Sequence, residues 1–221
     1  MYKELMTIFK SNTLYDQALE ACHEMLNTDL IMYNASIKSL RYSNTSKINI
    51  DIYSMDININ KFERDVRRKV STHLSLGNNT DLSAGLVLVS IVIDIERIGD
   101  YTKNIYDLAL HHPIKLEVNQ IEDRVVELET FTTEFFSKTI NAFKADDTEA
   151  ARELMTSYKE NMSKQSDAIV NDIISNKIDG ISIGEGAAIS LYVRYLKRIS
   201  AHSRNLISSI VNPFERIGYP E

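Results

Sequence analysis

The sequence has few residues that cross-link or interrupt a chain. Its 221 residues include one cysteine, Cys22, together with three prolines and seven glycines. A single cysteine excludes an intramolecular disulfide and is typical of proteins from a reducing compartment. So little proline and glycine argues against an all-β fold, which needs many turns. The composition therefore favours long helices.

Long apolar runs and a surplus of positive charge are also missing. The longest apolar stretch, residues 84–93, is too short to span a bilayer, and Asp94 and Glu96 follow it. The first residues do not begin an apolar run of signal-peptide length. The net charge of −6 argues against a general nucleic-acid-binding protein. We therefore expect a cytoplasmic protein, with no membrane insertion and no nucleic acid among its partners.

Apolar residues recur at helical spacing along most of the chain. Turn-forming and capping residues divide this pattern into six predicted helices, at 12–41, 47–76, 81–112, 117–145, 149–175 and 187–211. The glycine-containing segment 179–186 is predicted to be the most flexible loop. Long helices joined by short loops pack as antiparallel bundles.

The third and sixth predicted helices carry an internal repeat. Arg97-Ile98 corresponds to Arg198-Ile199, and Asn104-Ile105 corresponds to Asn205-Leu206 at the same offset. Such a repeat is strong evidence for the architecture. We expect an all-α fold made of two tandem antiparallel three-helix bundles, the first in residues 1–112 and the second in residues 113–221.

The segment Ser90–Leu108 holds the candidate functional residues of the first half. Glu96 and Asp100 stand four residues apart on one face of a largely apolar helix, and Gly99 lies between them. Buried carboxylates need a cation or a proton to neutralise them. A glycine here lets a neighbouring helix, water or ion approach closely. From spacing alone, two interpretations stay open: a solvated face, and a cation site.

This stretch resembles the helix motif of PhoU-type proteins. The resemblance rests on residues 94–101, Asp-Ile-Glu-Arg-Ile-Gly-Asp-Tyr, followed by Asn104-Ile105, and the helical plan extends it over nearly the whole chain. It implies two three-helix repeats and a role in regulating phosphate uptake. PhoU proteins couple a phosphate ABC transporter to a sensor histidine kinase, and they have no established catalytic chemistry. Acidic motifs in both halves of these proteins bind metal ions such as iron or zinc.

Carried over residue by residue, the resemblance implies a metal site formed by Glu96 and Asp100 with Asp56 and Asn60. Such oxygen-rich clusters suit Fe, Mn, Mg or Ca. Because the motif contains no histidine, a structural zinc site is less natural, although the family includes zinc among its metals. We expect one metal ion in the first bundle and no organic cofactor.

The second half departs from the family pattern. Lys197 stands where the repeat calls for Glu96, and Ala201 stands where it calls for Asp100. A lysine ammonium repels a cation, so the second bundle is predicted to have lost its site. The sixth predicted helix is basic instead, with Arg194, Lys197, Arg198, His202 and Arg204. This basic cluster is either a solvated face or a surface for an anionic partner.

Other functions receive weaker support. Glu20 and His23 form a Glu-x-x-His motif, but ferritin-like di-iron bundles need a second copy, which the sequence lacks. No glycine-rich phosphate loop or Gly-x-Ser-x-Gly motif is present. We predict a non-enzymatic regulator. The alternatives are a metal-binding or metal-storage bundle with redox or hydrolytic activity, and a plain helical scaffold. A homodimer is left open.

Overall fold

The computed structural model describes residues 13–76, 82–112, 114–118, 120–158 and 162–220. These residues form seven α-helices and one short 3-10 helix, and no strand occurs among them. The α-helices are α1 Leu14–Arg41, α2 Ile52–Leu76, α3 Leu82–His111, α4 Glu122–Ala145, α5 Thr148–Tyr158, α6 Lys164–Ile174 and α7 Ile183–Val211. The expected all-α fold is confirmed.

The first bundle consists of α1, α2 and α3, each packed against the other two. Thr13 begins α1 with a capping box, because its hydroxyl accepts from the Asp16 amide and the Asp16 carboxylate accepts from the Thr13 amide. The core between the helices includes the fully buried side chains of Met25, Ile95 and Ile98. The third helix thus has the buried apolar face that its sequence predicts.

In the second bundle, α7 packs against α4, α5 and α6. The predicted helix 149–175 is divided into α5 and α6, with a π-helical turn at 162–163, and residues 159–161 lie outside the described ranges. Leu154, Tyr158, Met162 and Ser166 are all buried and stand four residues apart. On a helix with 3.6 residues per turn, such a row drifts away from the core. A wider π turn corrects the drift, and α5 and α6 together cover the segment that the sequence predicts as one helix.

The start of α7 differs from the prediction by four residues. Ser182 and Glu185 form a capping box, with the Glu185 amide donating to the serine hydroxyl at 3.2 Å and the Ser182 amide donating to the carboxylate at 2.9 Å. The helix therefore begins at Ile183, inside the segment that the glycines mark as a loop. The Ser-x-x-Glu spacing is the signal that indicates this start.

The two halves share an extensive boundary, where α3 packs on α7 and α1 packs on α4. Arg41 at the end of α1 is buried and contacts Glu129 at 3.0 Å and Glu122, both on α4. Tyr192 of α7 donates to Glu129 at 2.7 Å. The division of the chain at residues 112 and 113 stays a prediction. No helix of the described residues is long and apolar enough to cross a membrane.

Candidate metal centre

The candidate site lies on the first bundle, where carboxylates from all three helices face one another. Glu96 and Asp100 come from α3, Asp56 and Glu63 from α2, and Asp29 from α1. We call these five residues the acidic cluster. Helical periodicity places Glu96 and Asp100 on one face of α3, as the sequence predicts.

A lysine lies between two of these carboxylates. The Lys103 ammonium, one turn after Asp100, donates to Asp56 at 2.8 Å and to Asp100 at 3.2 Å, and so bridges α2 and α3. Burial alone would lower the pKa of Lys103, but the hydrogen bond and charge of Asp56, followed by those of Asp100, raise it. Lys103 is therefore a firmly charged internal counter-ion of the acidic cluster.

Arginines neutralise part of the remaining charge. Arg97 contacts Asp100 at 2.9 Å and approaches Glu96 at 3.6 Å, while Arg67 contacts Glu63 at 2.7 Å. The pKa of Glu96 is nevertheless raised, first by burial and then by the charge of Asp100, with Arg97 acting in the opposite direction. The neighbouring cations therefore do not fully compensate the negative charge.

Asp29 is the most unusual member of the acidic cluster. Its side chain is completely buried, and neither carboxylate oxygen has a hydrogen-bond partner in the described part of the chain. Burial raises the pKa of Asp29 well above its ordinary value, and the charges of Asp56, Glu96 and Asp100 add to this. An unpartnered buried carboxylate has to be protonated or to face a cation.

Gly99 makes room for this carboxylate. A Cβ atom at position 99 would lie 2.8 Å from Asp29 Oδ1 and 3.2 Å from Ile59 Cδ1. The close approach expected at the glycine is therefore made by an aspartate from α1. Asp29 was not among the residues predicted from sequence. Its position within the apolar stripe of α1, between Met25 and Met32, is the signal that indicates its burial.

The four predicted ligands differ in their surroundings. Asp56 and Asp100 meet through Lys103, Glu96 lies next to Asp100, and the Asn60 amide donates to the backbone oxygen of Asp56 at 3.0 Å. Within the described ranges, no three His, Cys, Asp or Glu side chains are arranged to hold a metal ion as they stand. The metal site of Glu96, Asp100, Asp56 and Asn60 therefore stays a prediction.

The donor chemistry of the acidic cluster fits a hard cation. All of its side chains are carboxylates, and the orphaned Asp29 oxygens are buried acceptors that a cation would satisfy. The Lys103 ammonium stands where a cation shared by Asp56 and Asp100 would lie. Glu96, Asp100, Asp56 and Asn60 stay the predicted ligands of such an ion, and Asp29 is the further carboxylate that the structure places near them.

The corresponding region of the second bundle carries its own positive charge. The Lys197 ammonium contacts both oxygens of Asp167, at 2.7 and 2.8 Å, and Arg194 contacts the same carboxylate at 2.9 Å. Both cations of this region are thus paired with Asp167, and the loss of a cation site from the second bundle stays a prediction.

The rest of the basic cluster is engaged within the molecule. His202 contacts Asp94 at 2.7 Å and stacks on Tyr101, and Arg198 lies over the same tyrosine ring. Arg204 donates to the backbone oxygen of Gly218. Several of these basic residues therefore join α7 to other parts of the fold.

Comparison with known proteins shows what this arrangement of helices is similar to. Residues 22–109 match the sequence model of the PhoU domain. This part of the chain is similar to PhoU domains. This match covers most of α1, all of α2 and nearly all of α3, and so includes the acidic cluster.

Solved PhoU structures share the fold of nearly the whole chain. PhoU from Pseudomonas aeruginosa has a TM-score of 0.79 and 19% identity, and the match covers 90% of this chain and 95% of that protein. The phosphate transport system regulatory protein PhoU from Streptococcus pneumoniae has a TM-score of 0.75 and 19% identity, with 89% and 93% covered. No curated protein matches the chain by sequence. The resemblance to PhoU proteins is confirmed.

Proposed function

We propose that this protein regulates phosphate transport as a helical adaptor between a phosphate ABC transporter and a sensor histidine kinase. The observation that carries the proposal is the similarity of residues 22–109 to PhoU domains, within a fold that matches PhoU proteins almost end to end. The partners are those that the resemblance implies, and the single cysteine favours a cytoplasmic location. The mechanism is docking without catalysis, on surfaces formed by the long helices.

The acidic cluster would make this adaptor responsive to a metal ion. A bound hard cation would supply positive charge to the buried carboxylates. Asp29 would then lose its proton, because a neighbouring cation favours the ionised form of a carboxyl group. The Lys103 ammonium would withdraw from Asp56 and Asp100, which frees their oxygens. The contact between α2 and α3 would therefore have two states, one bridged by Lys103 and one held together by the metal ion.

Calorimetric titration with Mn²⁺ tests this competition. The variant Lys103→Met should bind Mn²⁺ about tenfold more tightly than wild type, because it loses an internal competitor and one positive charge. The neighbouring variant Lys61→Met, on the exposed side of α2, is the control and should bind as wild type does. Equal affinity in all three proteins would contradict the competition.

Partner binding tests the adaptor role itself. The purified protein should bind the ATP-hydrolysing subunit of the host's phosphate transporter and the cytoplasmic part of its sensor kinase, as measured by biolayer interferometry. Disruption of the gene should uncouple the kinase response from external phosphate. Absence of both effects would contradict the proposal. Phosphatase or redox turnover that Glu96→Ala abolishes would support the metalloenzyme alternative instead.

A further inference from the structure

The internal repeat relates a set of charged side chains on α3 to a set on α7. On α3, the Asp100 carboxylate lies between two cations, since it contacts Arg97 at 2.9 Å and Lys103 at 3.2 Å. These three residues are spaced by three positions and are therefore neighbours on one face of the helix. In the first half, a carboxylate of the same helix thus compensates both cations.

The same positions on α7 keep the two cations and lose the carboxylate. At the offset of the repeat, the corresponding residues are Arg198, Ala201 and Arg204. Ala201 is partly exposed, so a group from outside can reach the place where the first half has its aspartate. The second half therefore has two guanidinium groups around a position that lacks a carboxylate.

Neither arginine is paired with another carboxylate in the described ranges of the chain. Arg198 donates to the Tyr101 hydroxyl group at 3.1 Å and lies over the same ring, with its Cζ atom 5.5 Å from the ring centre. Arg204 donates to the backbone oxygen of Gly218, and its Cζ atom lies 5.0 Å from the centre of the Tyr158 ring. Aromatic rings and carbonyl groups offer only partial negative charge, so two full positive charges are left uncompensated.

Two further cations extend this positive charge along α7. Arg194 and Lys197 contact the carboxylate of Asp167 at 2.9 and 2.7 Å, so two positive charges share one negative charge. His202 and Asp94 form a separate pair beside them. Together with the two uncompensated arginines, four cations of one helix thus share a single carboxylate, although the whole chain carries a net charge of −6. A positive surface on a negatively charged protein attracts anionic groups to one place.

The arrangement of these cations suits a polypeptide partner. We define the basic face as Arg194, Lys197, Arg198 and Arg204, with Ala201 among them. The helix rises about 15 Å from position 194 to position 204, so the cations form a row along it. The rings of Tyr101 and Tyr195 lie beside this row, with their centres 6.1 Å apart. Arginine and tyrosine are enriched in protein–protein interfaces, and a row of cations matches a chain that carries several carboxylates.

We propose that the basic face binds an acidic segment of a partner protein, and that one carboxylate of this segment lies between Arg198 and Arg204. This carboxylate takes the place that Asp100 has in the first half. Guanidinium groups pair with carboxylates in a bidentate geometry, which the present tyrosine and carbonyl contacts do not provide. The proposal rests on the adaptor role for the identity of the partner, whereas the surface can be tested without the transporter or the kinase.

Fluorescence anisotropy with a labelled peptide of alternating glutamate and alanine residues tests the proposal, in about 0.1 M salt. The peptide should bind the whole chain saturably, and a matched peptide with glutamine in place of glutamate should not. Ala201→Asp supplies the carboxylate that the repeat lacks and occupies both neighbouring arginines. It should therefore weaken binding of the glutamate peptide about tenfold, and Arg198→Met should do the same by removing one of the cations.

Ala187→Asp is the control for the added negative charge. Position 187 is exposed on the same helix, and it lies about 21 Å before Ala201, beyond the Debye length of about 10 Å at this salt concentration. This variant should bind the glutamate peptide as wild type does. Circular dichroism checks that every variant is folded.

Several outcomes would overturn the proposal. One is that the glutamate peptide does not bind saturably, and another is that Ala201→Asp and Arg198→Met, both folded, bind it as tightly as wild type. Binding of phosphatidylglycerol vesicles in place of the peptide, with a loss in the same two variants, would assign the basic face to a membrane surface instead. If the transporter subunit and the kinase bind while the peptide does not, the basic face is rejected and the adaptor role stands.

Discussion

At the scale of single residues, the candidate site depends on one buried carboxylate and one glycine. Asp29 is completely buried without a partner, and the missing side chain at Gly99 gives it space. The glycine could be singled out from sequence, because it interrupts an apolar helix between two acids. Asp29 could not be assigned to the same site, since only the fold shows which part of α1 faces that glycine.

Replacing Gly99 with alanine should destabilise the protein. The new Cβ would lie 2.8 Å from Asp29 Oδ1, and the buried aspartate has little room to move. We expect a loss of about 1–3 kcal/mol in the free energy of unfolding, even though alanine favours helix by about 0.5–1 kcal/mol. Urea denaturation measures this. Gly184→Ala is the matched control, because nothing lies within 4 Å of its Cβ position; a similar effect in both variants would rule out the steric explanation.

Asp29 should also give the metal-free protein a characteristic pH dependence. Because the folded pKa is raised, the native state holds a proton that the unfolded chain releases above about pH 4. The stability contributed by this proton is therefore lost as the pH rises from the ordinary pKa of an aspartate toward the raised one. The isosteric variant Asp29→Asn should lose this slope and exceed wild type in stability at neutral pH.

Urea denaturation in the presence of a chelator, at pH 5 and at pH 8, measures this difference. Wild type should lose more stability between the two pH values than Asp29→Asn does. An equal loss of stability in the two proteins would mean that Asp29 is ionised in the folded state and faces a counter-charge other than the described residues.

At the scale of helices, buried ion pairs join the two halves. Arg41 of α1 contacts Glu122 and Glu129 of α4, and the hydroxyl groups of Tyr42 and Tyr192 also donate to Glu129. The burial of Arg41 and Glu129 could not be predicted from the sequence, because other charged residues occur near each of them along the chain. The helices themselves follow from apolar spacing and capping residues, whereas the π turn before α6 depends on how a row of buried residues fits the core.

Removing the positive charge of this network should be costly. Arg41→Met leaves two carboxylates near the boundary of the halves without their partner, and we expect a loss of about 3–5 kcal/mol in the free energy of unfolding. Lys138→Met breaks an exposed ion pair with Glu134 on α4 and should change stability by less than about 1 kcal/mol. Thermal and urea denaturation compare the two variants. A small effect of Arg41→Met would show that the halves are held together by apolar packing alone.

At the scale of the whole molecule, two repeated halves have different polar chemistry. The first carries the acidic cluster, in which Lys103 is the internal counter-ion, and the second pairs Lys197 and Arg194 with Asp167. The internal repeat made the shared architecture and this asymmetry accessible from sequence. The choice between a solvated face and a cation site stays a prediction, and the burial of Asp29 and the position of Lys103, which bear on it, are visible only in the fold. A metal ion should accordingly be a property of the first half only.

The metal content of the purified protein tests this account most directly. Inductively coupled plasma mass spectrometry would compare wild type with the double variant Glu96→Ala/Asp100→Ala, after circular dichroism has shown that both are folded. We expect about one equivalent of Fe, Mn, Mg or Zn in wild type and a loss of it in the variant. Equal and negligible metal in both proteins would contradict the metal centre, and the acidic cluster would then be a lysine-bridged surface on a PhoU fold.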